Sequence, residues 1–151
     1  MNAITLGILA VFFAPDANAH PGPKQVLGEI ERSLEQAPDN PELLFERAAA
    51  LLEKGDLSGA MQDLERVEGA LSGDPRVLLL RGLARKQAGD PNLAEADLTL
   101  FLDEVGSHYL ALAARGKLRE SDGRLQLAWQ DYEAAAPLSK DPDLFLARSR
   151  V

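Results

Sequence analysis

Apolar residues recur along most of this chain at the three- and four-residue spacing that places them on one face of a helix. Val26, Ile30 and Leu34 follow this spacing, and charged residues fill half of the positions between them. From Asn40 onward the pattern returns in short segments, most of which end at a glycine or a proline. The pattern therefore predicts a series of short amphipathic helices separated by tight turns.

The helical pattern repeats with a fixed period of 34 residues. The segments FERAAALLEKGD, LLRGLARKQAGD and LAARGKLRESDGR align without insertion around Arg47, Arg81 and Arg115. Leucine, small residues, glycine, alanine and aspartate align in the same register: Leu44, Leu78, Leu112; Ala48, Gly82, Gly116; Gly55, Gly89, Gly123; Ala60, Ala94, Ala128; Asp63, Asp97, Asp131. This period, with a glycine dividing each copy into two halves, predicts a solenoid of helical hairpins.

The repeat divides the chain into a leading segment and one helical domain. Residues 1–19 are predicted to be a signal peptide and residues 20–23 a linker, which leaves 24–151 as the domain. Within the domain we expect a cap helix at 24–37, repeats at 41–74, 75–108 and 109–141, and a C-terminal cap helix at 142–150. Terminal helices of this kind cover the open ends of a stack with a polar outer face.

Turn residues set the expected ends of the helices. Asn40 is expected to be the N-cap of the first helix, and Gly55 to end it with left-handed backbone. Asp56 would then cap a second helix that runs to about Leu71. Asp74-Pro75 and Asp90-Pro91 have the same two capping roles in the next repeat, whereas Arg124 replaces the capping aspartate in the third.

The leading segment has the pattern of an export signal. AITLGILAVFFA, which ends at Ala14, is apolar apart from one threonine, and Ala17-Asn18-Ala19 follows it. A stretch this short suits the core of a signal peptide rather than a bilayer span, and the small residues suit cleavage after Ala19. We therefore expect a periplasmic or secreted protein with no membrane span after cleavage. The alternative is a buried helix that Pro15 would end.

Composition and charge limit the class of protein. Aromatic residues are only 5% of the chain and alanine and leucine dominate its apolar set, which favours an all-α fold. The absence of cysteine excludes disulfides, a thiol nucleophile and a zinc knuckle. The formal net charge of -8 argues against nucleic acid as a partner, because such a surface repels phosphate groups.

Residues that could perform catalysis or bind a metal are few. The two histidines, His20 and His108, lie at unrelated positions of the repeat, and no phosphate-binding loop, GxSxG or HExxH motif is present. We therefore expect a non-enzymatic protein without cofactor or metal. His108 is interpreted as a loop or capping residue. His20 could bind copper or nickel together with a newly formed terminal amine, so a metal carrier or enzyme remains a third hypothesis.

These spacings resemble the tetratricopeptide repeat, a family of antiparallel helix pairs stacked into a right-handed superhelix. With Pro41 as the first position, the family has large residues at the fourth and twenty-fourth positions and small ones at the eighth and twentieth. This chain has Leu44, Leu78, Leu112; Leu64, Leu98, Tyr132; Ala48, Gly82, Gly116; and Ala60, Ala94, Ala128 there. The resemblance implies a right-handed α-solenoid of antiparallel helix hairpins, with about three units and two cap helices.

Arginine takes the seventh position of each repeat, where the family often has leucine. Arginine and glycine at these two places, with aspartate before the twenty-fourth, resemble a variety found in many bacterial repeats. The register predicts three pairs across the hairpins: Arg47–Asp63, Arg81–Asp97 and Arg115–Asp131. An arginine at a partly buried seam needs a carboxylate, because an unpaired buried charge is costly. We interpret these pairs as structural, and a ligand-binding arginine is the alternative.

The resemblance also implies a binding site, because first helices of the family line a concave groove. The corresponding groove residues are Phe45, Ala49, Leu52, Arg76, Leu79, Leu83, Lys86, Ala113, Lys117 and Glu120. The family's lysine and asparagine clamp for a peptide carboxylate is absent. An apolar strip of Phe45, Leu52, Leu79 and Leu83 would suit an amphipathic helix or an extended apolar peptide, unless these side chains pack within their hairpins.

Two functional hypotheses follow from this resemblance. The first is a non-catalytic interaction module or scaffold that binds a protein or peptide in its groove. The alternative is a structural subunit of a cell-envelope assembly, held through its terminal helices, where Leu144, Phe145 and Leu146 would form the contact. The sequence leaves the oligomeric state open.

Overall fold

The computed structural model describes residues 23–139 and 142–151, and every element in these ranges is helical. The eight α-helices in this part of the chain are α1 (Pro23–Gln36), α2 (Pro41–Lys54), α3 (Leu57–Val67), α4 (Pro75–Ala88), α5 (Pro91–Val105), α6 (Tyr109–Ser121), α7 (Leu125–Ala135) and α8 (Pro142–Arg150). A short 3-10 turn, Ala136–Leu138, follows α7. The predicted all-α class is confirmed. The predicted signal peptide and residues 20–22 of the linker lie outside the described ranges.

The chain divides into two compact units at the boundary between Gly73 and Asp74. In the first unit α2 and α3 pack together as a hairpin, and α1 packs against α2. The second unit contains two hairpins, α4 with α5 and α6 with α7. Within it, α5 and α4 contact α6, and α8 packs on α7. Very short turns join the helices of each hairpin, and such connections favour antiparallel neighbours.

Capping residues determine where the first helices begin and end. Asn40 Oδ1 accepts hydrogen bonds from the backbone N–H groups of Glu42 and Leu43, at 3.1 and 3.2 Å, and Pro41 takes the first helical position. Gly55 ends α2 at a φ of 87°, and Gly89 ends α4 at 88°. Only glycine adopts this left-handed conformation without steric cost, so these predicted ends are confirmed.

The expected ends of the second helices differ from those observed. The carboxylate of Asp56 caps α3 by accepting the N–H of Gly59, but α3 ends at Val67 rather than near Leu71. Val67 is the last buried residue of this helix. The residues after it include two glycines, which are poor helix formers, so neither burial nor propensity extends the helix.

The expected side-chain cap of α5 is not formed, and α7 lacks one as the sequence indicates. The backbone of Asp90 occupies the cap position of α5, but its side chain makes no capping hydrogen bond. Arg124 likewise precedes α7 without a side-chain cap, and the nearby carboxylate of Asp122 accepts from Arg124 Nε at 2.6 Å. Pro91 at the first helical position of α5 still fixes a helical φ, so proline rather than aspartate defines this start.

The core of each hairpin combines a small residue on the first helix with a large residue on the second. In the last hairpin the ring of Tyr132 lies against Gly116, where an added Cβ would come within 2.7 Å of Tyr132 Cε1. Tyr132 is buried, and its hydroxyl donates to Glu120 Oε2 at 2.8 Å. Burial and this hydrogen bond raise the pKa of Tyr132. Glycine at position 116 is therefore a steric requirement of the tyrosine.

No helix among the described residues combines the length and the apolar composition needed to cross a lipid bilayer.

We predict that Gly116→Ala lowers stability by roughly 1–3 kcal/mol, because the methyl group would displace the ring of Tyr132. Without a clash, alanine would be more favourable than glycine in a helix interior by up to about 1 kcal/mol. A loss of stability would therefore indicate the clash with Tyr132. Thermal or urea unfolding measures it. In a Tyr132→Leu background the same substitution should cost much less, since the first hairpin combines Ala48 with Leu64. An equal cost in both backgrounds would contradict the steric account.

Candidate functional site

Each repeat arginine forms a two-pronged ion pair with the aspartate of its own hairpin. Arg47 donates from Nε and Nη2 to Asp63 Oδ2 and Oδ1, both at 2.7 Å. The corresponding bonds are 3.0 and 2.9 Å for Arg81 with Asp97, and 3.1 and 2.7 Å for Arg115 with Asp131. The three aspartates are only 2–3% exposed. The structure thus brings every predicted pair together across its hairpin, with the carboxylate in the core.

A second arginine joins the pair in both hairpins of the second unit. Arg85 Nη1 donates to Asp97 Oδ2 at 2.6 Å, and Arg119 Nη1 donates to Asp131 Oδ2 at 2.9 Å. The first hairpin has Leu51 at the aligned position. Sequence reasoning missed these residues, although an arginine one helical turn after the first would lie on the same face.

An ionic network also connects the two hairpins of the second unit. Glu95 on α5 accepts from Arg119 Nε at 2.8 Å and from both Nη groups of Arg124. Hydrogen bonds from Arg124 and then Arg119 hold the pKa of Glu95 below its usual value. Arg115 Nη1 adds a bond to Thr99 Oγ1 at 3.2 Å. Polar contacts therefore tie α5 to the hairpin that follows it.

We predict that Asp97→Ala destabilises the protein by roughly 3 kcal/mol, because two guanidinium groups lose their shared buried acceptor. Arg81 and Arg85 remain 18% and 22% exposed, which limits the loss. Chemical unfolding tests this value. The double variant Arg81→Leu/Asp97→Ala should regain part of it, and Asp103→Ala, on the exposed end of the same helix, should be neutral. An Asp97→Ala variant as stable as the parent would contradict the buried-pair account.

The apolar residues predicted to line a groove are buried instead. Phe45 and Leu52 on α2 are 2% and 1% exposed, and Leu79 and Leu83 on α4 are 1% and 4% exposed. Ala49 is fully buried as well. The first helices have packed neighbours on more than one side within their own units, so little apolar surface stays open. The expected exposed strip is therefore absent, and these side chains belong to the core.

The polar candidates of the second unit remain accessible on the face formed by α4 and α6. Lys86 on α4 is half-buried, and Lys117 on α6 is exposed. Burial, and secondarily the charge of Lys117, lower the pKa of Lys86. Lys117 Nζ donates to Glu120 Oε2 at 3.0 Å, and this bond is the main cause of the lowered pKa of Glu120. Ala113 is half-buried. This face is thus cationic rather than apolar.

Arg76, the remaining groove candidate, interacts with its own cap residue. Its Nη2 lies 2.6 Å from Asp74 Oδ2, and its backbone N–H donates to Asp74 Oδ1 at 2.9 Å. The hydrogen bond from Arg76 is the main cause of the lowered pKa of Asp74. Arg76 therefore takes part in starting α4.

His108 lies in the turn between α5 and α6, as the sequence predicts. Its ring stands edge-on to Phe101, with centroids 5.2 Å apart, and stacks on Tyr109 at 6.1 Å. Its Nδ1 is buried and makes no hydrogen bond within the described residues, and its side chain does not cap α6. Desolvation by burial lowers the pKa of His108. The ring therefore acts as a packing group in its neutral form.

We predict that the stability of the second unit falls as pH drops through the ordinary histidine pKa of about 6.5. As the pH falls through this value, His108 binds a proton in the unfolded chain but not yet in the folded chain. The free energy of unfolding is therefore greatest above this pH and declines below it. Unfolding measured between about pH 7.5 and 5.5 tests this, above the range where carboxylates titrate. His108→Gln should flatten the dependence, with His20 present in both proteins. An unchanged slope would contradict the assignment.

Among the described residues, no three His, Cys, Asp or Glu side chains are grouped so as to hold a metal ion. His20, the residue behind the metal hypothesis, lies outside the described ranges.

The tetratricopeptide repeat family model matches residues 29–62. The matched segment begins inside α1, covers α2 and ends inside α3, all within the first unit. This match supports a tetratricopeptide repeat, and the arginine-glycine variety stays a prediction. Tetratricopeptide repeats generally mediate protein–protein interactions and are typically non-catalytic. No curated protein matches the chain.

Proposed function

We propose that this chain is a non-catalytic interaction module that binds an acidic segment of a partner polypeptide. The binding surface is the cationic face, defined by Lys86 on α4 and Lys117 on α6. One observation supports this proposal above the others. Lys86 is half-buried and is repelled by the positive charge of Lys117. It has no acidic partner in the described part of the chain.

A half-buried ammonium group without a carboxylate partner is an unfavourable arrangement in the free protein. Removal from water disfavours its charged form, and the nearby positive charge of Lys117 adds to that cost. A carboxylate placed between the two lysines would offset both effects and form charge-assisted hydrogen bonds. The arrangement is therefore suited to an anionic ligand.

The wider charge distribution favours a peptide carboxylate over a polyphosphate. The chain has a net charge of -8, which repels an extended nucleic acid. Glu120 lies beside Lys117 on the same face, and its charge discourages a continuous run of anions. A short acidic segment, with one or two carboxylates at the lysines, meets these constraints. The burial of Leu79 and Leu83 supports a polar rather than an apolar contact.

Export remains part of this proposal. The apolar segment before Ala17-Asn18-Ala19 supports a cleaved signal peptide and a periplasmic or secreted protein. The exported chain would then begin at His20, and its intact mass tests this assignment. Recovery of the full-length mass from the exported fraction would contradict it.

The alternative, a structural subunit held through its terminal helices, depends on α8. Leu144 and Ala147 of this helix are buried, while Leu146 is 59% exposed. The side chain of Phe145 lies outside what the structure describes. A single exposed leucine gives this alternative less support than the paired lysines give the first proposal. Sedimentation that detects self-association, lost on Leu146→Ser, would favour it.

We predict that Lys86→Ala weakens binding of a synthetic acidic peptide by about tenfold, the effect of losing one charge-assisted hydrogen bond. The probe is a labelled peptide of alternating glutamate and alanine, and fluorescence anisotropy at low and high salt measures its affinity. Lys54→Ala removes an exposed lysine from the end of α2 and should leave the affinity unchanged. Equal affinity of Lys86→Ala and Lys54→Ala would contradict the proposed surface.

A further inference from the structure

The outward face of α5 differs from the aligned faces of the other second helices. At three positions of the repeat register, α5 has Leu93, Ala96 and Leu100, α3 has Gly59, Gln62 and Arg66, and α7 has Leu127, Gln130 and Ala134. Leu93 and Leu100 are each 53% exposed, and Ala96 is exposed as well. The middle repeat thus presents more apolar surface than its neighbours at the same positions.

Helical geometry groups these residues into one stripe, called here the α5 stripe and defined by Leu93, Ala96 and Leu100. Their spacing places them on one side of the helix. Ala94, Leu98 and Phe101, which are buried, lie on the opposite side. Because the core already uses that side, the α5 stripe is not needed to hold the hairpin together.

An open cleft borders the α5 stripe within the second unit. It has a volume of about 680 Å³, and Ala96 and Leu100 form the apolar part of its lining. Asn92, Thr99, Glu95, Asp122 and Arg124 supply its polar part. The cleft lining therefore combines apolar and polar side chains, as protein-binding surfaces generally do.

The charges around the α5 stripe are mainly acidic. Asp90 precedes the helix, and Asp103 and Glu104 lie at its end, all exposed and without an ion pair among residues 23–139 and 142–151. Beside the cleft, the guanidinium group of Arg124 already donates hydrogen bonds to Glu95 and Asp122. A partner that covers the α5 stripe therefore gains from basic residues at both ends of its apolar contact.

We infer that the α5 stripe is a docking surface for a basic amphipathic helix of a partner protein. Leu93 and Leu100 are about 10 Å apart along the helix axis, a spacing that the apolar face of an aligned helix reproduces. A second copy of this chain is a poor occupant, because antiparallel α5 helices would bring Asp90 of one copy against Asp103 and Glu104 of the other. This surface is separate from the cationic face, so it does not depend on the function proposed above.

A synthetic peptide of leucine and lysine with helical spacing tests this inference. Fluorescence anisotropy with the full chain should detect binding, and Leu93→Gln/Leu100→Gln should weaken it at least tenfold. Leu127→Gln/Ala134→Gln makes the matched change at the aligned positions of α7 and should leave affinity unchanged. A peptide with glutamate in place of lysine should bind at least tenfold more weakly to the parent protein. Circular dichroism of each variant establishes that it is folded.

Three results would overturn the inference. One is equal affinity of the parent protein and Leu93→Gln/Leu100→Gln for the leucine-lysine peptide. Another is equal binding of the lysine and glutamate peptides. The third is self-association of the parent protein that Leu93→Gln/Leu100→Gln abolishes, since a second copy would then occupy the surface. Lys86→Ala should not change the affinity for the leucine-lysine peptide, which separates this test from that of the cationic face.

Discussion

The fold depends on a carboxylate buried in each hairpin and neutralised by arginine from the facing helix. Asp63, Asp97 and Asp131 are almost fully buried, and each receives two parallel N–H donors from one guanidinium group. A charge in that position is tolerable only while its partner stays in place, so the pair fixes the register of the two helices.

The second unit extends this ionic scheme from single hairpins to a connected pair. Arg119 bonds to both Asp131 and Glu95, so one guanidinium group links its own hairpin to the preceding one. The charged residues between these helices are thereby paired with one another within the unit. The charges that have no ion pair lie elsewhere among the described residues: Lys86 on the face of α4 and α6, and the acidic residues at the ends of α5. The two faces thus differ in charge, and the partners proposed for them carry opposite charges.

The sequence predicted the repeat, the helical class and the hairpin pairs because each depends on local or periodic information. A fixed period places Arg81 and Asp97 at equivalent points of neighbouring helices, and Gly55 and Gly89 end helices for reasons of backbone sterics alone. Leu79 and Leu83 were predicted to line an exposed groove but are buried. Whether a leucine faces solvent or the core depends on which helices pack over it, and the sequence does not specify this. Arg85 was missed because its position is not shared by all three repeats, since the first has Leu51 there.

By itself, the sequence determined which segments are helical, where most of them begin and which three arginine–aspartate pairs join the helices of the hairpins. Turn chemistry, periodicity and the cost of an isolated buried charge act within a hairpin, so they can be read from residue order. Only the tertiary structure decided which side chains stay accessible, because exposure depends on the packing of helices from different parts of the chain. The half-buried Lys86 and the exposed Leu93 and Leu100 are results of that packing, and the proposed surfaces follow from them.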